Sequence, residues 1–196
     1  KNVQLTLEGM KFTAEFDSGD SAKLETALVG RHLLGPLAVC ILLSKKAGLS
    51  LEQIQSAISN TKPYEHRMQP RLVSGAWILD DTYNGSLEGF RAGLRLLKEV
   101  KAKRKIYVTP GLVDQGEETD RVHKEIGKLI AACNPDKVVL MKNSVSEIID
   151  SSLKENNYSG EIEVRDDPLE FYTNLEHTLA AGDVILLQND WTDNYA

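Results

Sequence analysis

The stretch from Trp77 to Asn84, which reads Trp-Ile-Leu-Asp-Asp-Thr-Tyr-Asn, decides how the fold of this 196-residue chain is interpreted. Its apolar first half is typical of a buried strand, and two carboxylates, an aromatic ring and an amide follow directly. In open sheets of parallel strands, ligands bind outside the carboxyl ends of the strands. The sequence therefore predicts that acidic, aromatic and amide groups meet where a ligand would bind.

From residue 71 onward, apolar strands alternate with amphipathic helices. The first helix carries Leu87, Phe90 and Leu94 at helical spacing, and Asp167 followed by Pro168 is a typical helix start. Residues 144–147 are expected to cap another helix. The alternation predicts an α/β fold with a mostly parallel sheet and helices on both faces. Strands are predicted at residues 76–80, 105–109, 137–141, 162–164 and 184–188.

The first third of the chain has a different pattern. Three short alternating segments at residues 3–7, 12–16 and 22–28 predict an antiparallel sheet, and two helices follow. Ser50 and Gln53 form a capping box for the second helix. Residues 60–70 contain two prolines and little apolar content, which predicts a linker between domains. The buried stripe of the first helix is predicted to be Leu34, Leu37, Ala38, Ile41 and Leu42.

Composition excludes several classes of protein. The net charge is −6 and no long basic run is present, which argues against a nucleic-acid partner. No apolar run approaches the roughly 20 residues needed for a membrane span. Cys40 and Cys133 lie on apolar helical stripes without a C-x-x-C partner, which favours reduced, buried thiols in a cytoplasmic protein.

The residues that end the strand at 76–80 are candidates for nucleotide binding. A carboxylate at this position can accept hydrogen bonds from ribose hydroxyls. Tyr83 could stack on a base, and the Asn84 amide can both donate to and accept from an adenine edge. The alternative is that Asp80 or Asp81 only caps the following helix.

Other candidate residues lie in three further segments. Arg67, beside His66 in the linker, could grip a phosphate or form a surface salt bridge. Asp114 lies in the Gly- and Pro-rich loop 109–116, which could face a ligand or a neighbouring domain. Asn189 and Asp190 follow the last strand, either as a substrate-contact loop or as an ordinary polar end. No metal-ligand spacing occurs in the sequence.

The sequence carries no G-x-x-x-x-G-K-[ST] motif, the loop that cradles nucleotide phosphates. Its first residues, Lys1 to Leu5, already alternate like a strand. We therefore expect a longer protein, in which other domains hold the phosphate-binding loop.

In sum, the order of motifs resembles the Mur ligases of peptidoglycan synthesis. The resemblance implies that residues 1–66 are the α+β tail of a central ATP-binding domain. It implies that residues 67–196 are the family's Rossmann-like C-terminal domain, an α/β fold with a mostly parallel sheet. The motifs are Gly30-x-His32, Ser50-x-x-Gln53, His66-Arg67-Met68, Asp80 to Asn84, and Val122 to Gly127.

The resemblance also implies an activity. ATP, with Mg²⁺, phosphorylates the carboxylate of a UDP-N-acetylmuramoyl-peptide, and the amine of D-alanyl-D-alanine or a related amino acid or dipeptide attacks the acyl phosphate. ATP and Mg²⁺ are expected to bind mainly to the missing N-terminal and central domains, so that these 196 residues alone are inactive. The implied nucleotide-binding residues are His32, Arg67 (also catalytic), Asp81, Tyr83 and Asn84; the implied substrate-binding residues are Asp114, His123, Asn189 and Asp190.

The chain departs from the family's motifs at several positions. Leu33 and Pro36 stand where the family has asparagines at a helix start, and Ser86 also replaces an asparagine. Gln188 and the residues after it stand where the family has Lys-Gly-Ser-Arg, which leaves the second substrate open. Two alternatives remain: a non-catalytic module that binds a nucleotide or a partner, and a folate or poly-amino-acid ligase of the same architecture.

Overall fold

The computed structural model describes residues 1–189, and it divides the chain into two compact units. The first unit ends at Pro70 and the second begins at Arg71. Within the described residues, no helix is long and apolar enough to cross a membrane.

The first unit is a small α+β structure. A three-stranded antiparallel sheet of β1 (Gln4–Thr6), β2 (Gly9–Glu15) and β3 (Ser21–Thr26) is followed by α1 (Leu34–Lys46) and α2 (Leu51–Ser59). The predicted capping box at the start of α2 is present. The two helices and the sheet enclose one apolar core of Met10, Leu24, Leu37, Ile41, Ile54 and Ile58.

The predicted buried face of α1 is partly wrong. Leu37 and Ile41 are buried, but Ala38 and Leu42 are exposed. The helix is apolar around most of its circumference, so the spacing of apolar residues could not define which face is buried. Cys40 lies on the exposed side, which contradicts its prediction as a buried thiol.

The second unit is built on a six-stranded sheet with the order β4-β5-β9-β6-β7-β8. The four pairings from β5 through β9, β6 and β7 to β8 are all parallel, as the strand and helix alternation predicts. The strands are β4 (Gln69–Val73), β5 (Ala76–Asp81), β6 (Arg104–Thr109), β7 (Lys137–Met141), β8 (Glu161–Arg165) and β9 (Asp183–Gln188).

β4 is the strand that the sequence did not predict. Ser74 and Gly75 join it to β5 and both have positive φ, 51° and 82°, the geometry of a type I′ hairpin turn. The predicted linker over residues 60–70 is therefore wrong at its end, where Gln69 and Pro70 belong to β4. A proline is compatible with this strand because β4 lies at the edge of the sheet.

Helices cover both faces of the sheet, as predicted. The helices are α3 (Leu87–Glu99), α4 (Thr119–Cys133), α5 (Ser146–Glu155) and α6 (Pro168–Thr178). α3, α4 and α5 contact one another in sequence order, and Phe90 of α3 meets Tyr107 of β6 edge to face. Phe171 and Leu175 of α6 pack on the opposite face with Ile106. Alternate residues of β5, β6, β7 and β9 thus serve two separate cores.

The helix caps differ in part from the predictions. Asp167 caps α6 by accepting from the backbone nitrogen of Glu170, as predicted. Ser86 caps α3, so neither Asp80 nor Asp81 has that role. At α5 the predicted cap within residues 144–147 is wrong, because Asn143 Oδ1 accepts from the backbone nitrogens of residues 145 and 146.

A buried carboxylate fixes the amino-terminal end of β9. Asp183 accepts hydrogen bonds from Arg104 Nη2 at 2.5 Å and from the backbone nitrogen of Ala180 at 2.8 Å. Burial raises the pKa of Asp183, but these two hydrogen bonds and the positive charges of Arg104 and Lys103 together outweigh burial and leave the pKa below its ordinary value. The ionised form is therefore the one that stabilises the fold.

We expect Asp183→Asn to lower the free energy of unfolding by about 1.5–3 kcal/mol near pH 7, because the hydrogen bond to a charged group is lost. The folded-state pKa lies below the unfolded-state value of about 4, so the contribution is complete above that value. It is lost as the pH falls through the folded-state pKa. Urea unfolding at several pH values measures this difference.

Asp166→Asn is the matched control, because Asp166 pairs with Lys142 on an exposed surface. We expect this change to stay within about 0.5 kcal/mol of the wild type. A penalty for Asp183→Asn that does not shrink as the pH falls below 4 would contradict the role given to the ionised carboxylate.

Candidate functional site

Three segments meet at the carboxyl edge of the sheet in the second unit. They are the end of β5 with the loop after it (residues 80–86), the end of β6 with its loop (109–116), and the end of β9 (188–189). We call these three segments together the carboxyl edge. Because β9 pairs with β5 in parallel, Asp81 lies directly opposite Gln188, and the backbone nitrogen of Asn189 donates to the Asp81 carbonyl at 3.0 Å. The fold thus places polar residues that are distant in sequence next to one another.

The two adjacent carboxylates at the end of β5 have different environments. Asp80 is buried; its Oδ1 accepts from the Thr82 hydroxyl at 2.7 Å, and its Oδ2 lies 3.7 Å from Arg71 Nη2. Successive side chains of a strand point to opposite faces, so Asp81 lies on the face of α3, where it is half-buried. Asp80 therefore supports the turn, and Asp81 is the carboxylate of the pair that remains partly open to a ligand.

The loop after β5 carries the other two candidates beside Asp81. Tyr83 and Asn84 are both exposed, and they follow Asp81 before α3 begins. The structure therefore groups these three predicted residues on one edge. Their arrangement offers an acceptor, an aromatic face and an amide within one short segment.

A network that the sequence analysis missed lies behind Asp81. Gln188 Nε2 donates to Asp81 Oδ2 at 2.9 Å, and the Tyr107 hydroxyl donates to Gln188 Oε1 at 2.9 Å. Both Tyr107 and Gln188 are fully buried. A polar residue directly after the apolar run 184–187 was the available signal, but its partners depend on strand order.

His123 supports the loop after β6 from within the core. Its ring is completely buried, and Nε2 accepts from the backbone nitrogen of Leu112 at 3.0 Å. Since Nε2 accepts, the proton lies on Nδ1, which is 2.6 Å from the carbonyl oxygen of Thr119. Both ring nitrogens are thus engaged with backbone, and in this arrangement the ring shapes the loop.

Gly111 allows this close approach. Its φ of +88° lies in the left-handed region that favours glycine, and a Cβ there would lie 2.8 Å from the His123 ring. The glycine is therefore required both by the backbone conformation and by the buried histidine.

Two asparagines, one after each of the two strands that flank β6, hold the same loop. Asn189 Nδ2 donates to the Gly111 carbonyl at 2.5 Å, and Asn143 Nδ2 donates to the Pro110 carbonyl at 2.7 Å. Asn189 is buried and also lies against Gly85, where an added Cβ would be 3.2 Å from its side chain. Asn189 therefore ties the loop after β5 to the loop after β6.

The remaining candidates are at other positions. Asp114 is exposed near the tip of loop 109–116, with a left-handed φ of 57°, and Asp190 lies outside the described residues. Arg67 and His32 belong to the first unit, and both are exposed. Among residues 1–189, no group of three or more histidine, cysteine or acidic side chains could hold a metal ion.

Cys133, the second cysteine, is half-buried beside this unit's core. Burial raises the pKa of its thiol to about 11, and Lys105 and Lys98 only partly offset that effect. At neutral pH the thiol is therefore protonated and a poor nucleophile.

We expect His123→Ala to lower the free energy of unfolding by about 2–4 kcal/mol, because it leaves a cavity and an unpaired Leu112 N–H. The exchange of the Leu112 amide hydrogen should accelerate more than that of core amides. Urea unfolding and amide hydrogen exchange by NMR measure the two effects. His177→Ala, on the exposed side of α6, is the control; equal effects of both changes would contradict the role of His123.

Comparisons with known proteins agree with this architecture. The family model described as "Mur ligase, glutamate ligase domain" matches residues 66–188. The UDP-N-acetylmuramoyl-tripeptide–D-alanyl-D-alanine ligase of Escherichia coli (strain K12) is 27% identical over 139 residues, covering 70% of this chain and 30% of the relative. The ligase of the same name from Mycobacterium leprae (strain TN) is 24% identical, covering 86% of this chain and 36% of the relative. The chain thus spans about a third of the length of these curated relatives.

Solved structures share the fold. The MurF ligase from Thermotoga maritima in complex with ADP superposes with a TM-score of 0.78 at 20% identity, covering 97% of this chain and 42% of that one. The UDP-N-acetylmuramate-alanine ligase MurC from Thermotoga maritima has a TM-score of 0.72 at 16% identity, covering 100% of this chain and 43% of that one. The predicted mixed α/β architecture is therefore confirmed.

Proposed function

The chain belongs to the Mur ligase family, and from that premise we propose that it forms the carboxyl-terminal part of an ATP-dependent ligase of peptidoglycan synthesis. The observation that carries the proposal is the grouping of Asp81, Tyr83 and Asn84 on the carboxyl edge, beside a loop held by buried hydrogen bonds. The names of the curated relatives support D-alanyl-D-alanine or a similar amine as the second substrate. A cytoplasmic location is part of the same proposal.

The proposed reaction has two steps. The carboxylate of a UDP-N-acetylmuramoyl-peptide attacks the γ-phosphorus of ATP, the bond to the β-phosphate oxygen breaks, and ADP leaves. The amine nitrogen then attacks the acyl carbon, an amide bond forms, and phosphate departs while the nitrogen loses a proton. Catalysis of such transfers depends mainly on positioning and on stabilising charge.

The carboxyl edge contributes to nucleotide binding in this proposal. Asp81 accepts hydrogen bonds from ribose hydroxyls, Tyr83 presents its ring to the base, and the Asn84 amide pairs with the adenine edge. The anchored loop beside them keeps the surface in one shape, so little conformational freedom is lost on binding.

Arg67 and His32 are the proposed nucleotide contacts of the first unit, with Arg67 on phosphate. Arg67 is flanked by His66 and Met68, which have positive φ values of 58° and 45°. Each such conformation costs on the order of 1 kcal/mol in a residue with a side chain, and strain of this kind is concentrated at functional sites. This local geometry supports the proposed role of Arg67.

The remaining candidates are proposed to act on the amine substrate in two ways. Asp114 is exposed and can attract an ammonium group directly. Asn189 and His123 act through loop 109–116, because each is buried and hydrogen-bonded to its backbone. Asp190 remains a proposed substrate contact.

Mg²⁺ is implied by the family, but the described residues do not form a site for it. No cluster of three or more potential ligands occurs among residues 1–189. Magnesium usually binds one or two carboxylates together with substrate phosphates and waters. The proposed ion would therefore be held mainly by other parts of the protein.

A non-catalytic nucleotide- or partner-binding module is the second candidate function. Leu33 and Pro36 replace the asparagines of the family's helix start, and Leu33 packs against the apolar core of the first unit. The amide contacts implied for the family are therefore missing from this helix start. A folate or poly-amino-acid ligase remains compatible with the fold, since the folylpolyglutamate synthase of Thermotoga maritima has a TM-score of 0.65 at 17% identity.

We expect Asp81→Ala, in the full native protein that contains these residues, to raise the KM for ATP by about tenfold, as loss of a hydrogen bond to a charged group does. Steady-state kinetics with a UDP-N-acetylmuramoyl-peptide and D-alanyl-D-alanine provide the measurement. Asp166→Ala is the control, because it removes an exposed carboxylate that pairs with Lys142. An unchanged KM for ATP in Asp81→Ala would remove Asp81 from the nucleotide site.

We also expect the purified 196-residue chain alone to show no ATP hydrolysis, since its sequence has no phosphate-cradling loop. A coupled assay for ADP release tests this expectation. Steady ADP release by the purified chain would overturn it and would require a phosphate site within these residues.

A further inference from the structure

The side-chain amide of Gln188 is fully engaged at the end of β9. Its Nε2 donates to Asp81 Oδ2 at 2.9 Å and to the carbonyl oxygen of Gly89 at 3.0 Å. Its Oε1 accepts from the Tyr107 hydroxyl at 2.9 Å. A buried amide with these three contacts has little rotational freedom.

The orientation of this amide is determined by its neighbours. Both partners of Nε2 are acceptors, so a flipped amide would place Oε1 against a carboxylate and a carbonyl oxygen. Burial and the negative charge of Asp81 raise the pKa of Tyr107 well above its ordinary value, so that the phenol stays protonated and donates. The hydrogen bonds therefore run in one direction, from Tyr107 through Gln188 to Asp81.

Gly93 of α3 makes room for the amide, and Gly89 supplies the carbonyl that accepts from it. Gly89 and Gly93 are four residues apart and thus lie on one face of the helix. A Cβ at Gly93 would lie 2.5 Å from Gln188 Nε2 and 3.0 Å from Oε1. A side chain at position 93 would therefore push the Gln188 amide away from Asp81.

We propose that Gln188, held by Tyr107, is a positioning residue that orients the Asp81 carboxylate toward the two vicinal hydroxyls of a ribose and so favours ribonucleotides. The inference rests on the proposed function, in which Asp81 contacts the nucleotide. Gln188 binds one carboxylate oxygen and fixes the plane of the group before the ligand arrives. Because an amide carries no charge, Gln188 does not neutralise the Asp81 carboxylate, which can accept charge-assisted hydrogen bonds.

The test compares ADP with 2′,3′-dideoxy-ADP, which lacks both hydroxyls. Dissociation constants are measured by isothermal titration calorimetry on the full native protein that contains these residues. Gln188→Met removes the amide at similar volume, and we expect it to weaken ADP binding by about tenfold. The affinity for 2′,3′-dideoxy-ADP should stay the same, so that the preference for ADP falls toward one.

Gly93→Ala is a second variant that keeps every polar group. Its Cβ displaces the amide end of the Gln188 side chain, and alanine favours the helix over glycine, so folding is expected to be retained. It should reduce the preference for ADP in the same way. Ser152→Ala is the matched control, because it removes another buried hydrogen bond, from the Ser152 hydroxyl to the Lys124 carbonyl at 2.7 Å, and should leave the preference intact.

A double-mutant cycle distinguishes positioning from general stability. In an Asp81→Ala background, Gln188→Met should cause no further loss of ADP affinity. An equal loss for ADP and 2′,3′-dideoxy-ADP, or the same loss without Asp81, would overturn the inference.

The two proposals fail in different ways. If Asp81→Ala abolishes the preference for ADP while Gln188→Met and Gly93→Ala retain it, only the role of Gln188 is overturned. If Asp81→Ala itself leaves the preference intact, Asp81 is not the ribose contact and both proposals are overturned.

Discussion

The parallel insertion of β9 between β5 and β6 is the constraint on which the functional edge depends. All six residues from Asp183 to Gln188 are buried, so this last strand occupies the centre of the sheet. A shift of one residue would exchange the side chains that fill the two cores and would move Gln188 to the other face of the sheet. The same register places Gln188 opposite Asp81, so the packing of the core and the geometry of the edge have one cause.

Buried polar contacts then make the carboxyl edge rigid where its backbone leaves the sheet. Asn189, Asn143 and His123 each bind the backbone of loop 109–116 from a different element. Asp114, which is exposed in this loop, is therefore carried by supported backbone. Sites of this kind bind with less loss of conformational entropy than mobile loops do.

The architecture could be predicted from the sequence because the spacing of apolar residues reflects which face of a strand or helix is buried. It failed where periodicity is weak: β4 begins with Gln69 and Pro70, and α1 is apolar on nearly every side. The motif around Asp80 and Asp81 located the edge, but the separate roles of the two carboxylates depend on which face each one takes. The contact between Gln188 and Asp81 depends on strand order, which no local pattern encodes.

The family membership and the fold explain why a nucleotide site is proposed at this edge. In this proposal the ribose lies against Asp81 at the end of β5. A crystal structure of the full native protein with ADP tests it most directly. We expect a ribose hydroxyl within hydrogen-bond distance of the Asp81 carboxylate, about 2.5–3.0 Å between oxygens. A ribose bound elsewhere, with Asp81 still contacting only protein and water, would contradict it.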